Sequence, residues 1–579
     1  MKFNIVTKIK ALAFHIKVRR KTQFISLIFL TIFAGFTEII SIASVVPFVS
    51  VVTGDNFLKD TLFLSNIFTI DEKKDAIIFT GLLFSSLYLL NSLIRILLIY
   101  FTARLTSVTT AELTSQLYKA KLYENYSQQI SKNSSDTISV ITQKVTQLNF
   151  AISSIVNLVS SLVIFICIML VLVWVNPTVM LISVLFFGTL YLLFVKIGKK
   201  EIYKSSQIID EEQNNIVLSI SNGLGSIRDI ILDNTQKFYL KIFNKSNFHK
   251  AKREAINEFI QQSPRYIFES MGIVLFVVLL IYSSITKNNS GEFSNIFPTL
   301  ATLALGSQRI LPLLNKLYTD FVAIKSKSHQ IDEILKILNE NKLAEEEKKL
   351  IVKKQINFKN VIKFQDVSFS YDKKKNILEN INLEIKKGTR IGIIGKTGEG
   401  KSTFLDLLMG FLQPDKGNIL IDNEKLSNKT ILSWQGKISH VPQKIFLSDS
   451  SFLSNIAFGR EESEINLKRV NEVSKKSQIH NFIMESEKGY NQKVGERGVK
   501  LSGGQIQRIG LARALYKNNE IIIFDEATNS LDNDTEKSIM DELYQLDEEL
   551  TVIIVAHRQN TLKKCDVILE IKNKKIIKT

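Results

Sequence analysis

The chain has 579 residues, 45% of them hydrophobic and 22% charged, with a formal net charge of +18. That length exceeds one ordinary domain, and two widely separated cysteines, Cys167 and Cys565, exclude a disulfide framework or a cysteine metal site. The excess of Lys and Arg admits either nucleic-acid binding or a membrane protein with basic cytoplasmic loops. Apolar runs crowding residues 1–320 favour the membrane.

In chain order, residues 1–22 are a basic segment carrying Lys2, Lys8, Lys10, Lys17, Arg19, Arg20 and Lys21. The apolar run that follows is too long for a signal-peptide core and lacks a clear cleavage site, so it is read as a retained span. Six apolar stretches are predicted to cross a bilayer, each near the roughly 20 residues a spanning helix needs. They are 23–52, 76–101, 152–175, 178–198, 265–286 and 294–318. The first contains Gly35, Glu38 and Pro47 and is expected to bend. The third and fourth are joined by Asn176 and Pro177, and Arg309, Pro312 and Lys316 break the pattern of the last.

The loop 53–75 is net acidic, whereas 102–151 and 199–261 are rich in Lys and Arg. The positive-inside rule therefore places the N-terminus and both long segments in the cytoplasm, and six spans place the C-terminus there too. Both long segments have helical spacing, few glycines and no proline, so they are predicted as helices continuing out of the membrane. Their turns fall near Tyr123–Ser131 and Asn222–Arg228. The expected domains are a basic N-terminus (1–22), a six-helix transmembrane domain (23–320), a linker (321–360) and a soluble domain (361–579). In that last domain short β-rich runs alternate with helical ones, the mark of an α/β fold.

Residues Gly395, Lys396, Thr397, Gly398, Glu399, Gly400, Lys401 and Ser402 fit G-x-x-x-x-G-K-[ST], between an apolar strand (Ile391–Ile394) and a helix starting at Thr403. Glycines let backbone N–H groups close around phosphate oxygens, and the helix start adds positive potential. Lys401 is placed to reach the β- and γ-phosphates of ATP, and Ser402 to ligate Mg²⁺. The strand Ile521–Phe524 ends in Asp525, suited to Mg²⁺, and Glu526, suited to polarising an attacking water. Between them, Leu501-Ser502-Gly503-Gly504-Gln505 opens a further helical run.

Together these motifs resemble the ATPase domain of ABC transporters, and Leu501–Gln505 matches that family's signature sequence. The resemblance implies further roles. Tyr371 matches the residue that stacks on adenine, and Thr403 closes the phosphate loop. Gln443 matches the glutamine that senses Mg²⁺ and contacts the membrane domain. Ser530-Leu531-Asp532 matches the D-loop and His557 the switch histidine. The implied fold is an α-helical six-span transmembrane domain, type I exporter-like, joined to an α/β P-loop NTPase domain. The implied machine is a dimer, a homodimer or a mixed one, in which Ser502, Gly503, Gly504 and Gln505 of each chain complete the ATP site of the other.

The order of parts on one chain resembles exporters and flippases, and the expected location is a bacterial inner membrane. Thr37–Phe48 and Ser263–Tyr266 with Glu269 are similar to PglK-type flippases of lipid-linked oligosaccharides. That resemblance implies a polyprenyl-diphosphate glycolipid as cargo. Arg95, Arg265 and Arg309 are the candidates for diphosphate contact, since Arg forks suit phosphate oxygens. The competing assignment for intramembrane charges is pairing between Glu38 or Glu269 and a nearby Arg. Alternatives are a multidrug or lipid exporter, a peptide or bacteriocin exporter, and a soluble nucleic-acid-associated ABC protein. The apolar runs weigh against the last, so no nucleic-acid partner is expected.

Overall fold

In the computed structural model of the protein, the described residues are 5–53, 73–130, 134–175, 177–286, 297–350, 354–372, 375–526, 541, 549–556 and 562–578. The chain divides into two units: Met1–Glu124 with Gln129–Ala344, and Asn125–Gln128 with Glu345–Thr579.

The first unit is helical. A short helix, Ile5–His15, precedes Val18–Ala43 and Val45–Thr53. The expected bend falls at Ser44, three residues before Pro47. Pro47 sits in the first turn of the new helix, where its missing N–H would have had no helical acceptor. Gly35 lies inside the first long helix, and a Cβ there would stand 2.6 Å from Cys167 Sγ, so this glycine lets two helices approach closely.

Three helices are far longer than a membrane requires. Lys73–Leu122 has 50 residues, Pro177–Gly225 has 49 and Gln236–Thr286 has 51. At 1.5 Å per residue such helices reach about 75 Å, against a hydrocarbon core of about 30 Å. The segments 102–122, 199–225 and 236–261 are helical in them, as helical spacing, few glycines and no proline predict. Helices Val145–Val175 and Phe297–Ser326 complete this set. The second of these is continuous through Pro312 where the sequence pattern looks broken. Ile310, Leu313, Leu314, Leu317 and Tyr318 are buried there, and packing holds the helix across the proline.

Among the described residues, Val18–Val49, Lys74–Leu122 and Asp136–Leu170 are long and apolar enough to cross a membrane, and Leu185–Gly198 is a shorter apolar segment. The expected spans 265–286 and 294–318 adjoin or enter residues 287–296, which lie outside the described residues. Helix Ser328–Leu350 follows, and its residues up to Ala344 belong to the first unit.

The second unit holds two sheets. Strands β1 (Val361–Phe369), β2 (Leu378–Lys386), β4 (Lys416–Ile421) and β5 (Glu424–Lys425) form an antiparallel sheet in the order β2-β1-β4-β5. Strands β3 (Arg390–Ile394), β6 (Ile438–Val441), β7 (Ile521–Asp525), β8 (Thr551–Val555), β9 (Val567–Lys572) and β10 (Lys575–Lys578) form the other, ordered β10-β9-β3-β8-β7-β6. All its pairings are parallel except β9 with β10. β7 is apolar over its buried residues Ile521–Phe524 and β8 over Val552–Val555, as a sheet covered on both faces requires.

Candidate functional site

Parallel pairing puts the C-terminal ends of β3, β6, β7 and β8 on one edge of the sheet, where ligands of open α/β sheets bind. β3 runs into Gly395, β6 leads to Gln443, and β7 ends at Asp525. The phosphate loop, Gln443 and the Asp525–Glu526 pair thus converge by topology alone. β8 leads toward His557, which lies outside the described residues, as do Ser530, Leu531 and Asp532.

The phosphate-type loop needs its glycines for their backbone geometry and lack of a side chain. Gly400 caps helix Lys401–Leu408 in the left-handed region with φ 101°, which an L side chain rarely adopts. At Gly395 a Cβ would lie 2.7 Å from the Ile571 carbonyl oxygen, a backbone atom that cannot swing aside. Glu399 braces the loop by accepting the Lys396 N–H at 3.0 Å. The Lys401 side chain is 7% exposed and folds over the loop, donating to the Gly395 carbonyl at 2.8 Å and the Lys396 carbonyl at 3.3 Å. Tyr371 is 55% exposed, and its hydroxyl lies 3.2 Å from Thr403 Oγ1, so an open aromatic face borders the loop.

The carboxylates form a tight group. Glu526 accepts a hydrogen bond from Gln443 Nε2 at 2.7 Å and lies 3.8 Å from Lys401 Nζ. Its φ is +51°, unusual for a residue with a side chain, and its N–H is tied to the Val555 carbonyl at 3.0 Å. Burial, then the neighbouring Glu526 charge, raises the Asp525 carboxyl above its ordinary range, while Lys401 opposes the shift. Asp406, one helical turn beyond Ser402, is pushed up to about 6 by burial and by Asp525. Its place beside Asp525 escapes sequence reading, although its i+4 spacing from Ser402 puts it on the face that carries the hydroxyl. Asp406, Asp525 and Glu526 cluster beside the Lys401 ammonium and the Gln443 amide, and Ser402 stands one helical turn before Asp406; carboxylate and hydroxyl oxygens are the hard donors that Mg²⁺ takes. When bound, Mg²⁺ supplies positive charge between transferring phosphate oxygens.

The Ser502 segment is a capped helix start. Ser502 Oγ accepts the Gln505 N–H at 3.3 Å, and the Gln505 side chain accepts the Ser502 N–H at 2.8 Å, a reciprocal capping box. Both side chains are thereby fixed at the N-terminus of helix Gly503–Tyr516, where backbone donors attract anions. Two residues farther along were not singled out by sequence. A Cβ on Gly510 would lie 2.3 Å from Ile445 Cδ1, so this helix presses on the segment after Gln443. Arg513 donates to the Asn455 carbonyl at 2.8 Å and the Phe446 carbonyl at 3.0 Å, pinning the same segment. No local motif announces these contacts, because the partners lie far apart in sequence.

The first turn expected to contact the ATPase, near Tyr123–Ser131, contributes Asn125–Gln128 to the second unit. The Tyr126 ring lies 4.9 Å from that of Phe411, and burial followed by the Asp406 charge raises its phenol.

The three arginines proposed for substrate do not gather into one described cluster. Arg95 is 2.7 Å from Glu38 Oε2, and Glu38 is fully buried. Asn91 donates to the same carboxylate at 2.6 Å, and Thr37 donates to Asn91 at 3.1 Å. Arg265 pairs with Glu269 at 2.9 Å on the exposed face of one helix. Arg309 lies in helix Phe297–Ser326, and its side chain is outside the described residues.

Fold and site define a P-loop nucleotide-binding domain joined to membrane-length helices. Residues 378–529 match the family model described as ABC transporter. The chain is 31% identical over 504 residues to the multidrug resistance-like ATP-binding protein MdlA of Buchnera aphidicola, covering 85% of this chain and 84% of that protein. It is 27% identical over 476 residues to the ATP-dependent lipid A-core flippase of Saccharophagus degradans, covering 80% and 77%. Against other curated relatives it spans less than two thirds of the partner, 26% of one and 56% of another. A solved bacterial Atm1-family ABC exporter with ATP bound shares the fold, with a TM-score of 0.79, 20% identity, and coverage of 96% of this chain and 94% of that one. The chain belongs to the ABC transporters, a family of membrane-embedded, ATP-hydrolysing translocases whose ATPase domain binds ATP with Mg²⁺.

Proposed function

We propose that two copies of this chain form an ATP-driven exporter that moves an amphiphilic lipid with a phosphate-bearing head group out of the cytoplasmic leaflet. The polyprenyl-diphosphate glycolipid is the specific cargo put forward. The observation that carries the ATP-driven part is the grouping of Lys401, Gln443, Asp525 and Glu526 at one sheet edge. Lys401 turns from its loop carbonyls to the β- and γ-phosphates, and the N–H groups of Gly395–Thr403 cradle them. Ser402, Gln443 and Asp525 would hold Mg²⁺. Glu526 takes the proton of the attacking water, Tyr371 stacks on adenine, and His557 contacts the γ-phosphate. Ser502–Gln505 closes the site of the partner copy, and the turns near Tyr123–Ser131 and Asn222–Arg228 couple the movement to the helices.

For the cargo, support comes from the resemblance at Thr37–Phe48 and Ser263–Tyr266 and from the flippase relative. Of Arg95, Arg265 and Arg309, the exposed Arg265 is best placed to exchange Glu269 for a phosphate, whereas Arg95 is held by a buried carboxylate. A multidrug exporter is the second reading, favoured by the likeness to MdlA. The proposed setting is the bacterial inner membrane with both termini cytoplasmic. The test is ATPase activity of the purified protein in lipid nanodiscs, with a polyprenyl-diphosphate-linked sugar or a neutral polyprenol added. Stimulation by the first alone supports the glycolipid. Stimulation by apolar drugs, with none by either lipid, selects multidrug export.

A further inference from the structure

The N-terminal helix Ile5–His15 has two unlike faces. Its inner face is anchored. Lys8 Nζ donates to the Ser328 carbonyl at 3.0 Å and hydroxyl at 2.7 Å, and pairs with Asp332 at 2.6 Å. Leu12 is 3% exposed in a cluster with Leu113, Leu117, Leu148, Ile334 and Leu335. His15 Nε2 lies 2.7 Å from Asn339 Oδ1. Positions 8, 12 and 15 follow helical spacing on one side.

Positions 10 and 14 follow the same spacing on the other side and face outward, and Lys17, the extended residue before the next helix, is exposed as well. Lys10 is exposed, Phe14 is 59% exposed and Lys17 is 65% exposed at its side chain. Val18, Arg19 and Lys21 extend this surface into the start of the next helix, where all three are exposed. Residues 1–37 contain seven Lys and Arg and no Asp or Glu. Among the described residues Lys10, Arg19 and Lys21 make no ion pair, and Lys17 only grazes Glu112 at 3.9 Å, the carboxylate that Arg20 holds at 2.8 Å.

Ile9, the neighbour of Lys10 in sequence, borders an apolar groove of about 270 Å³. Ile9 of the N-terminal helix lines it together with Ile155, Leu158 and Leu162 from one long helix and Leu317 and Phe321 from another. Exposed cations directly before a membrane span stand at phosphate depth on the cytoplasmic side, where anionic lipids attract them. An apolar groove continuous with the same helix offers what a hydrocarbon chain needs.

We propose that this helix and groove form a site for one anionic phospholipid of the cytoplasmic leaflet. Its phosphate is held by Lys10, Lys17, Arg19 and Lys21, and one acyl chain lies in the groove under Ile9. The site is separate from the ATP site and does not depend on the cargo assignment. Since Lys8, Leu12 and His15 grip the helix Ser328–Leu350, a bound lipid braces that helix.

The experiment is native mass spectrometry of the full-length protein released from detergent with phosphatidylglycerol or phosphatidylcholine added. Wild type is expected to retain phosphatidylglycerol in preference to phosphatidylcholine. The combined variant Lys10→Gln, Lys17→Gln, Arg19→Gln, Lys21→Gln is expected to lose retention by at least about tenfold, since each cation adds to attraction for an anionic surface. Leu158→Trp, which fills the groove and leaves every charge in place, is expected to lose it as well. Equal retention of the two lipids by wild type, or undiminished retention by the combined variant, overturns the site. Retention unaffected by Leu158→Trp overturns the seating of the chain. Displacement of the lipid by inorganic phosphate alone would also overturn it, since a free anion would then satisfy the site.

Discussion

Gln443 Nε2 donates to Glu526 Oε2 at 2.7 Å, joining a residue after β6 to the carboxylate that follows β7. This contact orients Glu526, whose backbone already sits at a positive φ. Changing Glu526→Gln keeps the shape and removes the base. Hydrolysis is expected to fall by a factor of about 10² or more, the usual contribution of a positioned general base. ATP binding is expected to persist. Phosphate release and filter-retained ATP measure the two separately, and near-normal turnover in the variant would remove Glu526 from the proposed role.

The approach of Gly510 to Ile445 makes a second expectation. A leucine at 510 runs into the Ile445 side chain, which has to turn aside or carry the segment after Gln443 with it. Overpacking of this kind costs about 1–3 kcal/mol. Gly510→Leu is expected to lower the thermal midpoint and the ATPase rate together. Adding Ile445→Ala opens the space and is expected to restore part of both. Absence of any rescue in the double variant would show that the contact is not what limits residue 510.

The phosphate loop was legible because its chemistry is contiguous: eight residues, a strand before them and a helix after. Asp525 with Glu526, and Ser502 with Gln505, were legible for the same reason. Asp406 was not, since its approach to Asp525 is made by folding across 119 positions. Glu38 and Arg95 were visible as intramembrane charges, but pairing one with the other required the helix packing. The continuity of Phe297–Ser326 was hidden by Pro312, whose local preference is overridden by buried neighbours.

His440 lies on β6, where burial and then the Lys517 charge lower its imidazole from 6.5 to about 4. The folded state therefore prefers the neutral ring. Below pH 6.5 the unfolded chain binds the proton first, so stability falls as pH drops from 6.5 toward 4 and levels off beneath that. The displacement caps the loss at roughly 3 kcal/mol. His440→Gln is expected to flatten this part of the profile. Thermal unfolding of the full chain between pH 7.5 and 5.5 checks it, and an unchanged slope in the variant would assign the pH dependence to other groups.

The fully buried Glu38 gives the sharpest test of the membrane half. Arg95 supplies its counter-charge at 2.7 Å, and Asn91 adds a hydrogen bond at 2.6 Å. Removing the arginine alone takes a 2.7 Å ion pair from a fully buried carboxylate, and breaking such a pair costs about 3–5 kcal/mol. Replacing both charges with neutral groups removes the broken pair altogether. Arg95→Leu is therefore expected to reduce the yield of folded protein sharply, and Glu38→Gln with Arg95→Leu to recover most of it. The recovered double variant then separates structure from cargo recognition. If Arg95 serves only to neutralise Glu38, a polyprenyl-diphosphate sugar stimulates its ATPase as in wild type. If Arg95 also meets the diphosphate, the double variant folds and hydrolyses ATP, yet the stimulation is gone.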